Sequence, residues 1–371
     1  MSFSASFLGR EGRLFERCET STDSSLWLVL RLGSRDDHIA GCTHTLEHVL
    51  VKRIQAIIEN AGTVNGYTTH DVLMITISMF DSGIFKKEAL VTELLTAFFN
   101  LDAISEQEFS EAREQIGQEL LLSEMTMKKA VTDASVQCLW DRSSLGKPID
   151  GGDKRPGYKD FKVFLEYAGK AKFAVMASSP HLSTIAKHFS VGSDEIYLEM
   201  CIDRPSVYDP MHIKRERKDM GSMFVKAWGV GIPAISAQEI MTAGIVSGIW
   251  NQRLQVLKKY GSYVTACFPR IHRGEHSINV IYSGDLSAMD QVENVVKDIR
   301  EKEISEEEMG FMKSYFSGVK NRAESDELKS MFLSDIFGQD TSVPFDSIKS
   351  NIHDWCRKIE EKQSGSVLWV S

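Results

Sequence analysis

The segment His44-Thr45-Leu46-Glu47-His48 carries the residue types and spacing that most directly predict chemistry. It lies inside a helical pattern, because apolar residues recur at helical spacing between positions 41 and 61. Residues three and four apart share one face of a helix, so both imidazoles and the carboxylate would lie side by side. Two histidines four apart can bind one metal ion, and zinc prefers nitrogen ligands of this kind. Glu47 would then be placed to take a proton from a water molecule at the metal.

A third ligand is needed, because a catalytic zinc usually has three protein ligands. Without one, two histidines on a helix can be ordinary surface residues. A second helix is predicted over residues 105–129, where Ser105 and Glu108 form a capping box. This helix carries Glu119 as a candidate ligand. Three other glutamates of the same helix remain alternatives on spacing alone: Glu111, Glu114 and Glu124.

The elements around these helices indicate an α+β fold. Strands are predicted over 25–33, 72–80 and 172–179, and again in the second half over 224–231 and 277–283. Further helices are predicted over 236–259 and 305–322. Because strands and helices do not alternate regularly, an α+β arrangement is favoured over a doubly wound sheet.

The two halves of the chain resemble each other at an offset of 200 residues. Residues 104–108 (ISEQE) match 304–308 (ISEEE), and residues 53–57 (RIQAI) match 253–257 (RLQVL). Two matches at one offset favour duplication over coincidence between amphipathic helices. We therefore predict two domains, residues 1–195 and 206–371.

The second copy has lost the groups that could bind a metal. The positions 200 residues after His44, Glu47, His48 and Glu119 are not metal ligands: Gly244, Ser247, Gly248 and Val319. The metal site is therefore predicted in the first domain alone.

These motifs resemble the pitrilysin-like inverzincin zinc peptidases, the family that includes insulin-degrading enzyme and the mitochondrial processing peptidase. The H-x-x-E-H order carries the resemblance first. Residues 62–68 (GTVNGYT) resemble the family's N-A-x-T segment, with Gly66 where alanine is common, and residues 145–151 (LGKPIDG) resemble its L-G-x-P-I-x-G turn. Glu119 falls where the family has its distal glutamate ligand. The glutamate that often lies seven residues earlier is Ala112 here, which is a departure.

The resemblance implies a fold and a site. The fold would be two homologous α/β-sandwich domains in one chain, forming half of a clamshell. His44, His48 and Glu119 would bind Zn²⁺, and Glu47 would act as general base and then as acid to the leaving amine. The strand with Asn65, Gly66 and Thr68 would bind the backbone of an extended peptide by strand addition.

The second domain departs from the family at a substrate-binding arginine and tyrosine seven residues apart. If Tyr263 is this tyrosine, the arginine position holds Val256, or Lys258 allowing a deletion. Another register pairs Arg253 with Tyr260 but misplaces the glycine. We favour loss of the pair, since lysine is a poor substitute for the guanidinium fork. A homologous partner subunit is then expected to supply it, in a heterodimer, with a homodimer as the alternative.

Composition limits the classes of partner and location. The 371 residues suffice for two domains, and 42% are hydrophobic. A formal net charge of −9 argues against nucleic acid as a partner. The 6 cysteines are scattered without a CxxC pair, so we expect reduced thiols and a cytoplasmic protein. No window approaches a transmembrane span, so no membrane association is expected.

Two hypotheses of different classes follow. The first is a zinc metalloendopeptidase subunit that processes extended peptides together with a homologous partner, with general degradation of small peptides as a variant. The second is a non-catalytic relative that binds peptides or scaffolds a complex. The intact H-x-x-E-H segment and Glu119 favour the first.

Overall fold

The computed structural model describes residues 2–17, 25–81, 83–124, 127–140, 143–151, 155–191, 211–216, 223–231, 237–272, 275–319, 352 and 361–370. The chain divides into two compact units. The first unit comprises Met1–Met125 and Lys147–Ile196, and the second comprises Thr126–Gly146 and Tyr197–Ser371. Among the helices in the described ranges, none combines the length and apolar character that crossing a membrane requires.

Strands and helices of both units are numbered in chain order. The strands are β1 Ser2–Phe7, β2 Arg10–Arg17, β3 Ser25–Leu30, β4 Gly62–Thr68, β5 Leu73–Met79, β6 Phe173–Ser178, β7 Ser190–Val191, β8 His212–Glu216, β9 Met223–Gly231, β10 Val264–His272, β11 Glu275–Gly284 and β12 Glu361–Val370. The helices are α1 Cys42–Ile58, α2 Glu88–Phe99, α3 Glu106–Glu124, α4 Met127–Trp140, α5 Tyr158–Ala168, α6 Ser179–Ala186, α7 Ala237–Leu254, α8 Met289–Glu301 and α9 Glu306–Val319.

The first unit is built on a seven-stranded sheet in the order β4-β5-β3-β6-β2-β1-β7. All its pairs are antiparallel except β2 with β6. β3 is buried along its whole length, as its run of Leu, Trp and Val predicts for a central strand. Helix α1 contributes Leu46, Leu50 and Ile54 to the core of this unit. β4 lies at the edge of the sheet, directly beside α1 in the packing of the unit.

The second unit repeats this plan. Its five-stranded sheet has the order β10-β11-β9-β12-β8, which corresponds strand by strand to β4-β5-β3-β6-β2. The parallel pair falls at the same place in both sheets, between β6 and β2 and between β12 and β8. The predicted α+β fold with two homologous domains is confirmed.

Both units also contain the same ion pair between two helices. Arg53 of α1 binds Glu108 of α3 through Nε and Nη2, at 2.5 and 3.0 Å. Arg253 of α7 binds Glu308 of α9 through the same atoms, at 2.7 and 2.8 Å. Each glutamate also accepts the backbone N–H of the serine three residues before it. The offset of 200 residues therefore reflects a shared structural element.

Helix α4 belongs to the second unit, whereas the predicted first domain of residues 1–195 includes it. Its buried side chains explain the difference. Val131 and Leu139 of α4 share one apolar cluster with Val225 of β9, Ile281 of β11 and Val367 of β12. The predicted junction between 195 and 206 lies outside the described residues.

Candidate metal centre

Helix α1 is fixed at its amino end by a buried aspartate. The Asp37 carboxylate accepts hydrogen bonds from the backbone N–H groups of Gly41 at 2.9 Å and Thr43 at 3.0 Å, and from the Thr43 hydroxyl. These donors are among the groups that a helix amino end leaves without intrahelical partners. Burial raises the pKa of Asp37 to about 7, and the hydrogen bonds from Thr43 and Gly41 oppose that rise. Asp37 therefore fixes the turn from which the histidines project.

Two imidazoles and one carboxylate converge from α1 and α3. His44 Nε2 and His48 Nε2 are 3.3 Å apart, as four-residue spacing on a helix predicts. Glu119 Oε2 lies 3.5 Å from His44 Nε2 and 3.3 Å from His48 Nε2. The histidine side chains are mostly buried, while that of Glu119 is 58% exposed. The three donors thus face one point that is open to solvent on one side.

This donor set fits a zinc ion. A tetrahedral shell with bonds of about 2.1 Å requires donor atoms about 3.4 Å apart, and the observed spacings are 3.3 to 3.5 Å. Two imidazole nitrogens and one carboxylate oxygen form a ligand type known from catalytic zinc sites, which keep a fourth position open. Among the described residues, this is the one group of three or more metal-binding side chains close enough to share an ion.

The other glutamates that the sequence left open on α3 have other places. Glu111 pairs with Lys52 and accepts a hydrogen bond from Gln107. Glu114 is exposed, and the side chain of Glu124 lies outside the described residues. Ala112, where relatives often have a glutamate, is buried in the apolar core. Glu119 is therefore the described glutamate of α3 that reaches the histidines.

Glu47 lies between the donor set and strand β4. Its Oε2 accepts a hydrogen bond from the Thr68 hydroxyl at 2.6 Å. A Cβ atom at Gly66 would come within 2.5 Å of Glu47 Oε1, so the carboxylate lies directly against the glycine backbone. Burial raises the pKa of Glu47, while the hydrogen bond from Thr68 and the nearby His48 oppose the rise.

The structure places the predicted substrate-binding residues in two different units. In the first unit, Gly66 and Thr68 face Glu47, and Asn65, directly before Gly66, is exposed on the edge strand. In the second unit, Tyr263 is 64% exposed, and Lys258 is exposed as well.

Arg253 has a structural role, which disfavours the register that pairs it with Tyr260. Its guanidinium binds the Glu308 carboxylate and three backbone carbonyl groups, those of Ile299, Lys302 and Glu303. Its side chain is only 8% exposed. No donor of this fork is left over for a substrate.

In the second unit, apolar packing occupies the place of the His48 side chain. A Cβ atom at Gly248, the counterpart of His48, would collide with the Met312 side chain. Met312 is buried in the core of this unit. Helices α7 and α9 therefore pack through Gly248 and Met312, which are the counterparts of His48 on α1 and Ala112 on α3.

The loop before α1 is held by residues that the sequence pattern does not predict. Arg35 Nη1 binds Asp71 Oδ1 at 3.1 Å, with both side chains 4% exposed. The backbone N–H groups of Ser34 and Arg35 also donate to Thr69 and His70 in the turn after β4. The same loop carries Asp37, so it links the start of α1 to the end of β4. An acidic residue shortly before a predicted helix is the one signal that could have indicated Asp37.

Known structures of similar fold cover nearly the whole chain. A protease from Helicobacter pylori is 15% identical, with a TM-score of 0.70, 100% of this chain covered and 99% of that chain. A chain of complex III₂ from Candida albicans with Inz-5 bound is 12% identical, with a TM-score of 0.71 and coverage of 98% and 95%. A peptidase M16 inactive domain from Pseudomonas fluorescens is 10% identical, with a TM-score of 0.69 and coverage of 100% and 98%. At these identities the likeness shows the fold alone.

Part of the chain matches a model of a known protein family. Residues 14–152 match the model of insulinase, peptidase family M16. No curated protein sequence matches the chain. The matched segment contains the H-x-x-E-H motif and Glu119, whose side chains converge as described above. Residues 14–152 are thus similar to peptidase family M16, and this similarity covers the segment that holds the candidate metal site.

Proposed function

We propose that this chain is the metal-bearing subunit of a zinc endopeptidase that hydrolyses extended peptides together with a homologous partner. The spacing of His44 Nε2, His48 Nε2 and Glu119 Oε2, at 3.3 to 3.5 Å, is the observation that carries the proposal. Bound zinc would polarise the scissile carbonyl group and lower the pKa of the attacking water.

Glu47 would move the protons of the reaction. Its carboxylate takes a proton from the attacking water and then gives it to the leaving amine. A general base works best when its pKa lies near the working pH, and burial raises the pKa of Glu47 in that direction. Thr68 and the bare backbone of Gly66 orient the carboxylate, since one donates a hydrogen bond and the other leaves room for it.

The edge strand β4 supports an extended peptide as the substrate. Among the described strands its neighbour is β5, so its other side can accept a further strand. Strand addition binds a peptide mainly through its backbone, which favours unfolded peptides and flexible tails over folded proteins. A peptide bound along β4 would pass Glu47 at Gly66 and Thr68.

A homologous partner is part of the proposal. Arg253 is engaged by Glu308 and by backbone carbonyl groups, so it cannot serve as the substrate-binding arginine. Lys258 offers a point charge in place of a bidentate fork. We propose that the partner subunit of a heterodimer supplies the arginine and tyrosine; a homodimer, the alternative, would work without this pair.

The proposed activity is tested with an unstructured synthetic peptide and the Glu47→Gln variant. We expect hydrolysis by the zinc-loaded chain with its partner, inhibition by a chelator and recovery on adding zinc. Glu47→Gln should retain zinc and lose activity by about 10²-fold or more, because the proton acceptor is removed. The matched control Glu114→Gln, at an exposed glutamate, should behave as wild type. Undiminished turnover by Glu47→Gln would overturn the assignment, and a zinc-loaded assembly without any hydrolysis would favour a non-catalytic relative.

A further inference from the structure

The second unit closes its own edge strand with a side-chain amide. β10 is the terminal strand of its sheet, as β4 is in the first unit. The backbone N–H of Cys267 donates to Asn251 Oδ1 at 2.6 Å, and the Cys267 carbonyl accepts from Asn251 Nδ2. The amide of Asn251 therefore binds β10 through the same donor and acceptor pair that a neighbouring strand would use.

These hydrogen bonds lie on the open side of the strand. Cys267 is opposite Val280 in the pairing of β10 with β11. In a strand, the N–H and C=O of one residue point to the same side, so both groups of Cys267 point away from β11 toward Asn251. An incoming peptide would need these two groups, and Asn251 already occupies them.

The structural repeat shows which part of the edge is closed. Cys267 lies beside Ser247, which is 200 residues after Glu47. In the first unit, Glu47 lies against Gly66 and Thr68 of β4. Asn251 thus closes, in the second unit, the stretch of edge strand that corresponds to the proposed peptide-binding stretch of the first.

The corresponding position of the first unit holds no amide. The position 200 residues before Asn251 is Val51, whose side chain has no hydrogen-bonding group. Val51 packs against the core of the first unit. At this position the second unit therefore has an amide that closes the edge strand, whereas the first unit has a valine that cannot do so.

We propose that the Asn251 side chain blocks the edge of β10 by binding the backbone groups that an added peptide strand would need. Strand addition is thereby restricted to β4 of the first unit. The closure of β10 stands on the hydrogen bonds of Asn251, while the role of β4 rests on the proposed function. Because exposed strand edges also promote association between chains, the same closure protects the second unit from edge-to-edge pairing.

Hydrogen exchange at the Cys267 amide tests the closure without any peptide. In the wild-type chain we expect slow exchange, although Cys267 lies on an edge strand. Asn251→Val, which introduces the residue of the first unit, should speed this exchange at least tenfold and leave the β11 amides protected. Gln255→Ala is the matched control, because Gln255 donates to the backbone carbonyl of Asn251 and its removal leaves the Asn251 side chain in place. Should Asn251→Val fail to fold, Asn251→Ser serves as the second variant. Fast exchange of the Cys267 amide in the wild-type chain would by itself overturn the proposed closure.

Peptide binding tests the consequence in a Glu47→Gln background, where hydrolysis does not interfere. An unstructured synthetic peptide should protect amides of β4 but not of β10, and with Asn251→Val it should protect both. Val51→Asn should reduce protection of β4 by the peptide, because the introduced amide can bind the backbone of that edge strand. Protection of β10 while Asn251 is present, or no protection of β10 after its removal, would overturn the proposal. If the peptide fails to protect β4 but all other results are as expected, the proposed function is contradicted. The closure of β10 by Asn251 is then tested by the exchange rate of the Cys267 amide.

Discussion

At the residue scale, one missing methyl group determines where the Glu47 carboxylate can lie. Gly66 is the residue of β4 against which Glu47 packs, and a Cβ atom there would come within 2.5 to 2.8 Å of three of its side-chain atoms. Real Cβ contacts are not that short, so an alanine would have to displace the carboxylate from this position. Its hydrogen bond from Thr68 would be lengthened or lost as a result.

We therefore expect Gly66→Ala to slow hydrolysis without releasing the metal. A misplaced general base forfeits part of a contribution that is typically 10²- to 10⁴-fold, so a loss in kcat of about 10-fold or more is expected. Zinc content and melting temperature should stay close to wild type. Gly310→Ala is the matched control, since a Cβ atom there meets nothing within 4 Å. Unchanged kcat in Gly66→Ala would show that Glu47 needs no such space.

The sequence could predict part of this site. The four-residue spacing of His44 and His48 is a local property of a helix, so the pair could be predicted from spacing alone. Glu119 was separated from Glu111 and Glu114 only by the resemblance, because spacing along α3 does not say which turn faces α1. The contact of Gly66 with Glu47 is long-range, and no local pattern encodes it.

At the scale of elements, the ion pairs Arg53–Glu108 and Arg253–Glu308 join corresponding helices in both units. Hydrogen bonds from the arginines lower the pKa of both glutamates to about 2, and burial opposes this only partly. The pKa of an unfolded glutamate is about 4.3. A carboxyl group whose folded pKa is the lower one stabilises the fold above its unfolded pKa, and this stabilisation is lost as the pH falls toward 2.

We expect Glu308→Gln to lower the free energy of unfolding at pH 6 by about 1.5–3 kcal/mol, the range for hydrogen bonds to charged groups. The difference from wild type should shrink between pH 5 and pH 3, because protonation of the unfolded wild-type chain removes the benefit. Urea denaturation at several pH values measures both effects. Glu301→Gln, on the exposed end of α8, is the control without an effect. A difference that stays constant down to pH 3 would contradict the assigned pKa direction.

The elements themselves were largely predictable where their pattern is local. Helix α1 begins and ends within the predicted range of residues 41–61, and β3, β5 and β6 lie within their predicted ranges. The long helix predicted over 105–129 ends at Glu124, and a separate helix α4 begins at Met127. The attachment of α4 to the second unit depends on tertiary packing with β9, β11 and β12, which periodicity does not report.

At the scale of the whole molecule, the shared strand order of the two sheets supports a duplicated chain, and among the described residues a candidate metal-binding group is found in the first unit. The offset of 200 residues predicted the duplication, because Arg53 and Glu108 recur together as Arg253 and Glu308. The repeat does not identify the partner, since the arginine and tyrosine pair that a partner would supply has no match in this sequence.

We expect the isolated zinc-loaded chain to hydrolyse peptides at least 10-fold more slowly than the chain with a homologous subunit of the same source. The reason is that one preorganised donor to the developing oxyanion typically contributes about 10²- to 10³-fold. Peptidase assays at matched zinc content, combined with light scattering, measure rate and assembly together. Full activity from a monomer would contradict a shared site, and full activity from a homodimer would favour the homodimer alternative.

Metal content is the most direct test of the central claim that His44, His48 and Glu119 bind one zinc ion. The wild-type chain, loaded with zinc and dialysed, should retain one ion per chain by elemental analysis. Glu119→Gln should weaken zinc binding by about 100-fold or more, since a charged ligand is lost from the shell. Glu111→Gln, at a glutamate of the same helix paired with Lys52, should bind zinc as the wild type does. Equal zinc retention by Glu119→Gln and wild type would contradict the account.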